Sequence, residues 1–129
     1  MSPDPHALDA VRASLDAAVG LEPDAALPHL REAAERLTGL IDETMAEAVV
    51  RGGSSLRSAG MRAGLSENAV GPRLARTAAL GAYANDDGRV TAAAVERARY
   101  DAETGAPAPA KPPAAPMRFK ARRPTKGTS

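Results

Sequence analysis

The sequence predicts an all-α fold, with one small helical domain over residues 1–104 and a basic tail over residues 105–129. Three observations carry that prediction. Leu30, Ala33, Ala34, Leu37, Leu40, Ile41, Met45, Ala48 and Val49 recur at intervals of mostly three and four, the spacing that places side chains on one helix face. Upstream, Leu8, Val11, Leu15 and Val19 repeat the pattern on a shorter scale. Residues 55–77 then read as two short helices about a tight glycine turn, a helix-turn-helix.

The first helix is expected over residues 5–19, with Gly20 placed to stop it. The second is long and amphipathic, with Glu32, Glu35, Arg36, Asp42, Glu43 and Glu47 expected on the wet side. Its stripe is expected to pack on the first helix and the helix-turn-helix, with part available as a dimer seam. Gly52 and Gly53 break it, and Ser54 and Ser55 offer caps for the next helix. The Walker spacing and its lysine are missing, so this glycine pair reads as a turn and not as a phosphate cradle.

In the helix-turn-helix, Ala59, Gly60 and Ala63 are the small residues that admit close helix packing. Gly64 supplies the turn's left-handed backbone, and Leu65, Val70 and Leu74 pin the second helix to the domain. Ser66 is placed to cap that helix, which puts Glu67 and Asn68 in its first turn. Pro72, preceded by Gly71, leaves two readings open. Either the helix runs on and is kinked by the missing donor, or it restarts with Pro72 in the favourable first position. On the second reading Glu67 and Asn68 leave the helix, and Arg73, Arg76 and Thr77 become the exposed residues.

Asn85-Asp86-Asp87-Gly88 marks a turn. Thr91 then caps a last helix running to about Glu103, with Val90 and Val95 at the spacing of a hydrophobic staple. Val95, Ala98 and Ala102 are expected in the core, Tyr100 as a packing residue, and Gly105 as the stop. From Ala106 onward the chain is Pro- and Ala-rich without a packing period, the composition of a disordered, partly polyproline II segment. Arg118, Lys120, Arg122, Arg123 and Lys126 form a basic arm around Phe119, which is suited to stacking or to docking on a protein.

Composition narrows the function classes. A 129-residue chain with one Phe, two Tyr and no Trp supports a thin core and no large enclosed active site. The absence of Cys excludes disulfides and thiolate metal sites and suits a reducing cytosol. No apolar run approaches the length of a membrane span, and the acidic N-terminus lacks the regions of a signal peptide, so a cytoplasmic protein is expected. His6 and His29 lie far apart, and Asp42-Glu43 and Asp86-Asp87 read as helix surface and turn. The expectation is therefore no enzyme, no metal, no cofactor and no small-molecule substrate.

The net charge of +1 conceals a segregation. Residues 1–50 carry −7, residues 51–82 carry +4, residues 83–104 carry −2 and the remainder +6. Positive charge thus lies on the helix-turn-helix and the tail, the distribution of a phosphate-facing surface on an acidic support.

The run Gly64-Leu65-Ser66-Glu67-Asn68-Ala69-Val70, followed by Arg73-Leu74-Ala75-Arg76, resembles the recognition half of the sigma-factor region 4 and LuxR-type helix-turn-helix. Together with the amphipathic helix and Arg-Gly-Gly-Ser-Ser before it, roughly residues 28–80 resemble small actinobacterial helix-turn-helix proteins of unassigned role. The excess of 14 Arg over 3 Lys and the abundant alanine suit a high-GC bacterial genome. The resemblance implies double-stranded DNA as partner and a role in transcription regulation. The expected contacts are Ser55, Arg57, Ser66, Glu67, Asn68, Arg73, Arg76 and Thr77, with the tail cations adding electrostatic affinity. The competing expectation is an interaction module that does not bind DNA and engages a regulatory protein through its acidic helices.

Overall fold

A computed structural model describes residues 3–109. Among them the chain forms five α-helices and one 3-10 turn: α1 Pro5–Ala18, α2 Pro23–Val50, α3 Leu56–Arg62, α4 Glu67–Leu74, the 3-10 turn Gly81–Tyr83, and α5 Ala92–Thr104. The all-helical expectation is met. The tail residues Arg118, Lys120, Arg122, Arg123 and Lys126, and Phe119 among them, lie outside the described residues.

Local chemistry explains the boundaries. The Asp4 carboxylate accepts from the His6 N–H and opens α1, and Gly20, in the left-handed region at φ 79°, follows its end. α2 begins well before the apolar stripe, because Pro23 stands in its first turn, where the lost N–H had no helical partner anyway. It then runs for 28 residues and carries Pro28 in its second turn. Ser55 caps α3 by accepting from the Ser58 N–H, and Thr91 caps α5 by accepting from the Ala94 N–H. Val90 and Val95 are both buried, as the staple requires, and Gly105 closes α5 at φ 74°.

Two packed regions result. α1 folds back on the N-terminal half of α2 as a helical hairpin, with Val11, Ser14 and Ala33 buried. The core proper is built by Met45, Ala46 and Val49 of α2 with Ala59, Val70, Leu74, Leu80, Val90, Val95 and Ala98. The stripe on α2 therefore divides: its C-terminal end enters the core, whereas Leu30, Ala34 and Leu37 stay exposed beside α1. α1 has a single face and is narrower than the stripe, so it covers only one edge of it. Two expectations on α5 are also corrected. Tyr100 is 64% exposed and Ala102 is exposed, because Tyr100 stands on the face of α5 opposite Val95 and the buried residues of the helix end at Ala98.

Side chains from distant segments close the core. Arg99 donates from Nε to the Val49 carbonyl (2.7 Å) and from Nη2 to the Ser54 carbonyl (2.8 Å), satisfying the C-terminal end of α2 with a cation. Tyr83 donates its hydroxyl to Asp101 (2.7 Å), which joins the 3-10 turn to α5. Burial pushes the Tyr83 phenol above its ordinary value of 10.0, and the hydrogen bond to Asp101 and that carboxylate's charge push it the same way.

Gly60 and Gly39 have opposite consequences for stability. A Cβ at Gly60 would run into the Val70 side chain, which is buried and held stiff by its β-branching, whereas a Cβ at Gly39 meets nothing within 4 Å. Gly60→Ala should lower stability by about 1–2 kcal/mol after the gain in helix propensity is counted, and Gly39→Ala should raise it by about 0.5–1 kcal/mol. Urea denaturation followed by circular dichroism measures both. Because the folded pKa of Tyr83 is raised, its contribution is complete below pH 10.0 and lost as pH rises through the folded value. Melting temperature in wild type should therefore fall faster above that pH than in Tyr83→Phe.

Candidate nucleic-acid interface

α3 and α4 are joined by the turn Ala63–Ser66, in which Gly64 takes φ 76°. The Gly64 N–H donates to the Met61 carbonyl and the Leu65 N–H to the Gly60 carbonyl, so these two acceptors at the end of α3 are satisfied by the turn. Gly60 is buried under Val70, and Val70 and Leu74 enter the core with Leu65 packed against them. The small residues and apolar pins take the positions expected of them.

Ser66 occupies the N-cap position of α4 with extended backbone, but its side chain makes no capping hydrogen bond. The hydroxyl that was expected to cap the helix is left on the surface. Glu67 and Asn68 follow it, both exposed, in the first turn of the helix. Arg57, on α3, reaches across to Glu67 at 3.7 Å, with both side chains more than two-thirds exposed. Ser55, Arg57 and Glu67 line one shallow cleft with Arg89 and Arg99, between α3, α4 and the start of α5.

α4 runs unbroken from Glu67 to Leu74 through Pro72, and Gly71 is buried inside it, so the helix does not restart. The missing donor at Pro72 frees the carbonyl four residues back, that of Asn68. Arg89 donates to it from Nη2 (3.2 Å). The Val90 N–H in turn donates to the Gly71 carbonyl (3.1 Å), and Gly71 lets this segment pass within van der Waals contact of α4. A guanidinium from 21 residues downstream thus supplies what the proline removes. Sequence reasoning missed Arg89. The orphaned carbonyl was foreseeable from Pro72, but which cation reaches it was not.

The far end of α4 corrects three expectations. Arg73 is not an exposed residue: its Nε and Nη2 both lie 2.7 Å from Asp42 Oδ1, with the Asp42 side chain only 10% exposed. Asp42 correspondingly leaves the wet side of α2, since its angular position faces α4 and the pair neutralises it. Thr77 is buried as well. Its hydroxyl donates to the Leu74 carbonyl (2.6 Å) and accepts from the Leu80 N–H (3.2 Å), which winds the chain after α4 onto the core. Beside them the Glu43 carboxylate accepts from the Ala78 N–H with both oxygens (3.2 and 3.0 Å). Arg76 remains exposed, about one α4 length, on the order of 12 Å, from Glu67.

The structure therefore gathers Ser55, Arg57, Ser66, Glu67 and Asn68 at one exposed end of the unit, leaves Arg76 exposed at the other, and commits Arg73 and Thr77 to internal bonds. Comparison with protein-family models, with curated proteins and with solved structures returned no match. Among the described residues, no helix is long and apolar enough to cross a membrane.

The two arginines at the end of α4 should separate in a stability assay. Arg73→Ala strands Asp42 in a largely buried position and should cost about 3 kcal/mol. Arg76→Ala should stay within about 0.5 kcal/mol of wild type, and the two denaturation midpoints read the difference directly.

Proposed function

We propose that α3 and α4 form a helix-turn-helix that binds double-stranded DNA, with the first turn of α4 entering the major groove and the protein acting in the cytoplasm as a small transcription regulator. One observation carries the reading: the first turn of α4 is the open part of that helix, with Ser66, Glu67 and Asn68 exposed, while its second half is locked to α2 and the core. A recognition helix needs this asymmetry, since it must be held by one end and read with the other. Asn68 suits bidentate pairing with adenine, and Glu67 suits the cytosine amino group. Arg57, Arg62 and Arg76 are exposed cations at the edges of the unit and serve the phosphates, with Ser55 and Ser66 as neutral donors. The Arg57–Glu67 pair is exposed and opens at little cost, so Arg57 is free to exchange its carboxylate partner for phosphate. The tail cations extend the electrostatic contact. The resemblance to sigma-factor region 4 and LuxR-type units points the same way.

A purely protein-binding role is favoured by a different observation, the leucines left exposed along α1 and α2.

The experiment is fluorescence-anisotropy titration of the full chain against pooled double-stranded DNA over a salt series, with two variants. Arg57→Ala/Arg76→Ala should weaken binding and reduce the salt slope by about two, and replacing the five tail cations by Gln should weaken it without removing it. If no binding survives near physiological salt, or if only the tail variant matters, the helix-turn-helix is not a DNA site and the protein-binding role takes its place.

A further inference from the structure

We infer that the open face of the α1–α2 hairpin is a dimer interface, and that its occupant is the same face of a second copy of this chain. On α2, Leu27, Leu30, Ala34, Leu37 and Ile41 recur at intervals of three and four, the seam spacing of paired helices. The first four are exposed, Leu27 by 62%. On α1 and the hairpin tip, Leu15, Val19 and Leu21 are exposed too, Val19 by 77%. α1 and α2 run antiparallel with their contact on Val11, Ser14 and Ala33, and both stripes are displaced from that contact in the same rotational sense along their own helices. In an antiparallel pair of right-handed helices, such stripes lie on the same side.

The face is large enough to form a dimer contact. The six large aliphatic side chains, Leu15, Val19, Leu21, Leu27, Leu30 and Leu37, amount to an area on the order of 600 Å², the upper end of what a monomer usually leaves open, and two copies approach the lower bound of a specific interface. It is also continuous with structure already packed, since the same stripe passes through Ile41 to Met45 and so into the core. A twofold contact uses one patch twice, so a face with seam spacing is its own complement. Two ion pairs beside the face are satisfied within their own helices, Arg12 with Asp9 at 3.0 Å and Arg31 with Glu35 at 3.3 Å, whereas the exposed Asp16, Glu22 and Asp24 bring like charge to the edge of the contact. The competing occupant is the chain after Pro109, which brings Met117 and Phe119 as its large apolar residues against six on the face.

The test is sedimentation equilibrium of the full chain without DNA, so that its result is independent of whether α4 reads a groove. Concentrations should span about 1–200 μM, where interfaces at the small end of the range dissociate. The expected result is a monomer–dimer equilibrium that Leu27→Glu/Leu30→Glu weakens at least about tenfold, while the helical circular dichroism of that variant is unchanged and Met117→Ser/Phe119→Ser leaves dimerisation intact. Val19→Glu, at the most exposed position, provides a second disruption should the double variant lose helicity. A monomer throughout the range overturns the proposal. So does a dimer indifferent to both face variants, or one lost on changing Met117 and Phe119.

Discussion

The ion pair between Asp42 and Arg73 decides what the second short helix can show to solvent. Neither group is tolerable alone at its depth, because a stranded carboxylate or guanidinium there keeps the desolvation cost and loses the compensation. Together they tie the last turn of α4 to the middle of α2. Glu43, the next residue on α2, extends the hold to the chain just beyond by accepting the Ala78 N–H. Arg73 is also a cation in the last turn of a helix, where the backbone carbonyls favour it. Held in this way at its C-terminal end, α4 points its N-terminal turn outward, and the exposure of Glu67 and Asn68 follows from an interaction at the opposite end of the helix.

Much of the architecture was legible because it is written in local chemistry. Gly20, Gly64 and Gly105 stand where the backbone must turn left-handed, and Thr91 with Val90 and Val95 spells out the start of α5 without reference to anything else in the chain. The apolar stripe begins at Leu30 and does not mark the start of α2, which begins at Pro23, whose ring is compatible with a first turn. Tyr100 stands off the face that Val95 and Ala98 share, whereas the failures on Ala102, Leu30 and Leu37 have a common cause. Periodicity says that residues share a face, but it does not say whether any other element is present to cover that face.

The candidate interface was legible in outline and wrong in particular charges. Exposed Ser55, Arg57, Glu67 and Asn68 follow from helix register alone, which the sequence carries. Arg73 and Thr77 do not, because their fate depends on α2 bringing Asp42 alongside and on the chain after Leu74 turning back onto the core. An arginine read from sequence counts as surface charge until a buried carboxylate claims it. The net positive charge of residues 51–82 is accordingly less available than its formal value, since one of its five arginines is neutralised internally.

Arg99 imposes an order on how the molecule assembles. Its guanidinium closes the carbonyl of Val49 and that of Ser54, 50 and 45 residues earlier in the chain, and Arg89 does the same for Asn68 across 21 residues. A nascent chain that has emerged only as far as α4 therefore lacks the donors that complete α2 and α4, and must hold the end of α2 and the first turn of α4 with carbonyls unsatisfied. Contacts of such separation come late, after the closure entropy of a long loop has been met. The hairpin of α1 and α2 is complete by Val50 and makes local contacts, so it is the part of the chain able to form during synthesis while the remainder waits for α5.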